Sequence, residues 1–151
     1  MQLLLRGAAL LDPDDPVAET VLAASPDSLA RARWLWDVRV ARTLEPAYAA
    51  ASTGIGPHRL VVRTADDVEA QRSRLELDSP SALRRPPHEL WLVVVTSGAL
   101  RHGAFTVAAG DVLVWEGDDP TSIELEPASD DVVLEQVRLR RSDGSELRWV
   151  P

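Results

Sequence analysis

Residues 90–95 read LWLVVV, and Thr96, Ser97 and Gly98 follow. An unbroken apolar run of this length, rich in β-branched side chains and closed by a Ser-Gly turn signal, reads as a strand covered on both faces. It is far short of the roughly 20 residues that span a bilayer. A strand covered twice needs apolar layers on either side of it, and this demand selects a layered, strand-rich fold.

The rest of the second half supplies the partners. Leu100 to Val107 is strand-like but interrupted at His102-Gly103, a tight turn or bulge. The stretch AFTVAAGDVLVWE at 104–116 reads as a short apolar strand, a corner at Ala109-Gly110-Asp111 and a second apolar strand closing on Trp115. Ile123 and Leu125 alternate with Glu124 and Glu126, which sends aliphatics inward and carboxylates outward. Val137 and Leu139 alternate with Arg138 and Arg140, and Ser142-Asp143-Gly144 carries the signal of a tight hairpin leading to Leu147 and Trp149. Short strands separated by turns at this spacing predict a barrel or a sandwich.

The first half is mixed. Trp34, Trp36, Val38 and Val40 share one face of a period-2 pattern, so 33–42 is a half-buried strand. Ser25 can cap a short helix with Pro26 in its first position. Arg59 to Arg63 is another strand, after which Thr64 can cap a helix over 65–75 with Ala65, Val68, Arg72 and Leu75 along one side. Residues 79–88, SPSALRRPPH, read as a loop that cannot continue a ladder. A strand-helix-strand crossover through 59–95 is the alternative, and it would make the domain α+β.

Composition limits what such a fold does. The chain has 151 residues, 45% of them hydrophobic, enough for one domain with a real core. Its formal charge of -8 repels nucleic acid and anionic membrane surfaces alike. Every basic residue is Arg, from which no function follows. With no Cys there is no disulfide framework, thiolate metal site or cysteine nucleophile. The opening MQLLLRGAALLDPDD is broken by Arg6 and Gly7 and reads as mature sequence, so the chain is expected in the cytoplasm.

Catalytic motifs are thin. Ser97-Gly98 lacks the glycine that would precede a nucleophile elbow. Gly54-Ile55-Gly56 ends in Pro57, which has no amide to offer a phosphate. Asp118-Asp119 and Asp130-Asp131 read as solvated turns. Arg84-Arg85 could present guanidinium forks to a carboxylate, although an exposed loop pair is the plainer reading.

The segment ELWLVVVTSGALRHGAFTVAAGDVLVWEGDDPTSIELEP resembles the C-terminal half of a cupin barrel, and more narrowly the HutD/Ves cupins linked with histidine utilisation. Ser97, Gly98, Thr106, Gly110 and Trp115 carry the likeness, with Trp36 and Arg59 on matching positions upstream. Asp37, where the family usually has Arg, and the reduced turn Gly56-Pro57 depart from it. The match is best over 90–139. The resemblance implies a single, mainly β, cupin-like jelly-roll barrel over 1–151, with one or two short helices.

Metal cupins converge two His and a Glu on one ion, with a further His from a second motif. Counting back from Gly98 places Arg84, Pro86 and Trp91 at the first-motif ligand positions, and Thr121 falls near the second-motif histidine. None of these can bind a divalent cation. The reading is therefore a metal-free, cofactor-free barrel that serves as a small-molecule-binding or regulatory protein, with Trp36, Trp91 and Trp115 as walls and Arg59, Arg84 and His102 as polar anchors; the HutD/Ves resemblance implies an accessory role around amino-acid catabolism, with an acidic metabolite as the ligand. Two rivals stand: a cupin enzyme holding metal through His58, His88 and His102, and a non-catalytic homodimer built through a sheet edge or barrel face.

Overall fold

The computed structural model describes the backbone of 2–4, 19–26, 34–41, 52–55 and 58–147, and the side chains of Val62 and 64–147. The described residues form β1 (Gln2–Leu4), β2 (Glu19–Pro26), β3 (Trp34–Ala41), β4 (Ser52–Ile55), β5 (His58–Thr64), β6 (Val68–Leu77) and β7 (Ser81–Arg84). They continue with β8 (Leu90–Ser97), β9 (Ala99–His102), β10 (Phe105–Ala108), β11 (Val112–Trp115), β12 (Ser122–Pro127) and β13 (Val132–Arg141). No helix occurs among them.

The strands β6 to β13 build two antiparallel layers, ordered β11-β8-β13-β6 and β10-β9-β12-β7. Every connection crosses between the layers except the β9–β10 hairpin, which is the winding of a jelly roll. The mainly β jelly roll expected from the sequence is therefore the architecture of this half. β1 extends the first layer by pairing with β11, and β2 to β5 form a separate sheet ordered β2-β3-β5-β4.

The double burial of LWLVVV has a direct cause in this arrangement. Trp91, Val93 and Val95 point between the layers and pack with Leu100, Val107, Leu113, Ile123, Leu125 and Leu134. Leu90, Leu92 and Val94 point the other way, level with Val112, Val114, Val137 and Leu139, and these too are buried. β8 thus contributes to two cores at once, which a polar alternation could not do.

The Gly110-Asp111 corner closes one end of the sandwich. Gly110 adopts φ +92°, a conformation open to glycine at little cost. The Asp111 carboxylate accepts from the Ala108 amide at 3.0 Å, while the Gly110 and Asp111 amides donate to the carbonyls of Val95 and Ala108 at 2.9 Å. Asp119 repeats the device, its carboxylate accepting from the Glu116 amide at 2.9 Å. The acidic pairs read as turns do serve as turns, with Asp131 at φ +56°.

Three expectations need correction. Residues 65–75 are not helical: 65–67 turn, and β6 then pairs with β13 over its full length, Val68 to Leu77. Helix-forming side chains are overridden there by a long ladder, and exposure on both faces at the sheet margin erased the period-2 signal. The strand-helix-strand alternative falls with that helix. Residues 79–88 are not all loop, because β7 pairs with β12 from Ser81 to Arg84. Its prolines flank the strand at Pro80, Pro86 and Pro87, where no ladder bond is needed. Ser142 to Gly144 turn as expected, with the Gly144 amide donating to the Arg141 carbonyl at 3.1 Å, but 145–147 add no strand. Trp149 and the helix proposed after Ser25 lie outside the described residues, although Ser25 and Pro26 themselves end β2.

Candidate functional site

Along the β6–β13 ladder, the face turned between the layers changes character step by step. Leu77 lies opposite Val132 and Leu75 opposite Leu134, inside the core. Ser73 then lies opposite Gln136, Gln71 opposite Arg138, and Glu69 opposite Arg140. Because the side-chain period of a strand is two, the same alternation that buries Leu134 brings Gln136, Arg138 and Arg140 to the inter-layer side. The apolar core therefore runs out into a polar mouth.

Glu89 closes that mouth. It precedes β8 and is 4% exposed. Arg138 holds its carboxylate with two parallel bonds, Nε to Oε2 and Nη2 to Oε1, each 3.1 Å, and the Trp91 indole donates to Oε2 at 2.7 Å. A planar guanidinium matches both carboxylate oxygens at once, which an ammonium cannot do. Burial pushes the Glu89 carboxyl up, but the bonds from Arg138 and Trp91 outweigh it and hold the group below its usual value. The Arg138 guanidinium carbon also lies 5.2 Å from the centre of the Trp91 ring, a cation–π contact.

Trp91 and Trp115 are direct neighbours across the β8–β11 ladder and are 3% and 1% exposed. His102 meets Trp115 edge-on, ring centres 5.4 Å apart, and its Nδ1–H donates to the Glu124 carbonyl at 2.7 Å. In the neutral ring that bond leaves Nε2 as the acceptor atom. Further along the same interior, the Ser73 hydroxyl donates to Gln136 Oε1 at 3.0 Å, while Gln136 Nε2 is buried without a partner. Turning the amide over would satisfy Nε2 and orphan Oε1 instead, so one end of this buried amide stays available in either rotamer.

Glu69, Ala70, Gln71, Glu89, Arg138 and Arg140 line a cavity of about 290 Å³. Its second ion pair joins Arg140 to Glu69, with Nε and Nη2 at 2.8 and 2.6 Å from Oε2. Two carboxylates and two guanidinium groups thus line one small space in matched pairs. The lining carries charge locally but no net excess of either sign.

The residues named from the sequence fall in different places. Trp91, Trp115 and His102 come together between the layers. Arg84 does not join them: it ends β7 opposite Ser122 and is exposed. Trp36 and Arg59 lie in β3 and β5, paired with Thr64 and Ala41, and their side chains are outside the described residues. His88 is exposed, and among the described residues no three His, Asp or Glu side chains converge on one point.

Among the described residues the buried arginine is Arg85, 2% exposed. Its guanidinium donates to the carbonyls of Glu89, Gly117 and Asp119 at 2.7, 2.9 and 2.6 Å, and to those of Pro86 and Pro87 at longer range. The loop before β8 is thereby tied to the loop after β11. Burial pushes the Arg85 guanidinium below its usual range, with Glu146, Glu89 and Glu116 opposing. Pro86 and Thr121 sit in these loops, and Thr121 accepts from the Arg85 amide at 2.8 Å.

Sequence reasoning missed Glu89, Arg138 and Gln136. The alternation at 137–140 was visible, but which of its faces meets the second layer was not.

No protein-family model matches this chain, and no curated protein matches it. One solved structure is similar, the crystal structure of a sugar phosphate isomerase from a cupin superfamily, from Silicibacter pomeroyi. It is 15% identical, spans 98% of this chain and 92% of its own, and superimposes with a TM-score of 0.35. A likeness that distant says nothing about chemistry, which has to be read from the side chains.

Proposed function

We propose that this chain is a non-catalytic, metal-free jelly-roll protein that binds a small, uncharged, hydrogen-bonding molecule in the polar mouth at the end of its β6–β13 ladder. The observation that carries the reading is the pairing of every charge around the cavity, Glu89 with Arg138 and Glu69 with Arg140. An anionic ligand would have to displace Glu89 from a two-point grip, whereas hydroxyl or amide groups can add to the remaining donors and acceptors of Gln71, Arg138 and Arg140. A volume of about 290 Å³ suits a molecule of amino-acid or monosaccharide size. The resemblance to HutD/Ves cupins over 90–139 supports an accessory place around amino-acid catabolism.

Thermal shift and tryptophan fluorescence, run in parallel against small polyols and amides and against mono- and dicarboxylates, test the proposal. The expected result is a higher melting midpoint with a neutral compound, an effect lost in Gln71→Ala and Arg138→Leu proteins. Preferential binding of carboxylates would reinstate the acidic ligand expected from the sequence. A stoichiometric transition-metal ion surviving dialysis would favour the metal-dependent enzyme instead.

A further inference from the structure

We infer that Arg85 is a positioning residue for the polar mouth: it sets Glu89 in place and, through Glu89, aims the guanidinium of Arg138. The inference takes that mouth as the binding site, as proposed above, and adds what holds its geometry. Arg85 itself is not one of the residues lining the cavity.

The loop from 85 to 89 has few donors of its own. Pro86 and Pro87 carry no amide hydrogen. The Arg85 amide donates to the Thr121 carbonyl at 2.8 Å and the Glu89 amide to the Pro86 carbonyl at 3.1 Å. The carbonyls of Pro87 and Glu89 take their hydrogens from Arg85 Nη1, at 3.2 and 2.7 Å. The β8–β11 ladder ends at Trp91 opposite Trp115, and its register continued would set Glu89 opposite Gly117. There the Arg85 guanidinium stands between the two chains in place of a further rung, with Nη2 on the carbonyls of Gly117 and Asp119 at 2.9 and 2.6 Å. The Asp119 carboxylate in turn pins that second loop by accepting from the Glu116 amide at 2.9 Å.

Fixing the Glu89 carbonyl fixes the direction of its side chain. Glu89 falls two residues before Trp91, on the same side of the chain, so its carboxylate reaches the Trp91 indole and the Arg138 fork together. Among the described residues the charges facing Glu89 are Arg138, Arg140, His88 and Arg85 itself, and of these only Arg138 bonds the carboxylate. Releasing the Glu89 backbone therefore loosens the carboxylate, and with it the group that orients Arg138 at the cavity.

The indole proton of Trp91 reports this geometry in the full chain. In nitrogen-labelled protein its nuclear magnetic resonance peak, assigned by its loss in Trp91→Phe, is expected downfield of an unbonded indole and to move as acid protonates Glu89. In Arg85→Lys the peak should lie upfield at neutral pH. The acid midpoint of its movement should rise into the ordinary carboxyl range or above it, because burial of Glu89 remains while the bonds opposing it weaken. Arg84→Lys, at the exposed neighbour, should change neither. Asp119→Ala keeps Arg85 but frees the loop it grips, and should move the peak the same way by less. Far-UV circular dichroism on each variant confirms the strand content. An unmoved peak and midpoint in folded Arg85→Lys, or in Asp119→Ala should the lysine variant not fold, would overturn the inference, leaving Arg85 a fastener of loops and the β8–β13 ladder the sole support of Glu89. None of these readouts needs a ligand, so failure of every neutral compound to bind overturns the binding reading alone.

Discussion

Arg85 is where single-residue energetics are sharpest. Its side chain satisfies carbonyls from both the loop before β8 and the loop after β11, so truncation strands buried acceptors as well as removing a contact. Arg85→Ala should cost about 3 kcal/mol, and Arg85→Lys nearly as much because a point charge cannot span the same fork. Urea denaturation at neutral pH measures both. Arg84→Ala, one residue away and exposed, should stay within about 0.5 kcal/mol. The sequence shows two adjacent arginines; only the alternation of β7 decides which of them turns inward.

Two buried carboxyls should give opposite pH signatures. Glu89 is held below its usual value in the fold, so its contribution is present at neutral pH and lost as pH falls through the folded value. Glu89→Gln should therefore cost about 2 kcal/mol at neutral pH, a difference that shrinks below roughly pH 4. Glu135 is 3% exposed and pushed up by burial, which Arg74 and Arg72 only partly offset. Its ionisation works against the fold, so intact-protein stability falls as pH rises from the ordinary carboxyl value to the raised one. Glu135→Gln should remove that decline and stabilise the protein near neutrality. Denaturation midpoints from pH 3 to 8 separate the two; parallel behaviour would contradict the assignment.

At the level of elements, two glycine turns that look alike should respond differently. Gly98 and Gly103 adopt φ +72° and +57°, after β8 and inside the β9–β10 hairpin. A methyl group at Gly98 would come within 2.8 Å of Ser129 Oγ and 3.1 Å of the Val132 backbone, whereas at Gly103 it meets nothing within 4 Å. Gly103→Ala should thus show only the conformational cost of about 1 kcal/mol, and Gly98→Ala roughly 2–4 kcal/mol, compared by thermal melts. Both turns were visible in the sequence as Ser97-Gly98 and His102-Gly103, but the crowding at one of them comes from a loop some thirty residues away.

β6 and β13 show the limit of pattern reading in the same way. VEAQRSRLEL carries helix-forming residues at helical spacing, and a ladder to a strand more than fifty residues later prevails over local preference. In β13 the alternation was read correctly as strand, yet arginines on the face opposite Val137 and Leu139 do not simply point to water. Since β8 and β13 have cores on both sides, the face that carries Arg138 is an interior one near its open end.

For the whole molecule, the aliphatic face made by Leu90, Leu92, Val94, Val112, Val114, Val137 and Leu139 cannot be covered by the second jelly-roll layer, which lies on the other side. A chain beginning at Thr64 would retain all eight jelly-roll strands and still expose that face. It should bind a hydrophobic dye and aggregate with increasing concentration, while the intact chain does neither. A soluble, dye-silent fragment would show that this face needs no cover from the first half.

The order of residues alone determined the layered β architecture, because apolar runs of strand length, period-2 alternation and Gly-Asp corners act over a few neighbours and leave few packings open. It also sufficed to bring Trp91, Trp115 and His102 to notice. Which arginine is buried, which carboxylate it grips and how polarity grades along the β6–β13 ladder were decided only by the tertiary structure. Those outcomes depend on which face of each strand meets the second layer, and that is settled by partners far away in the chain.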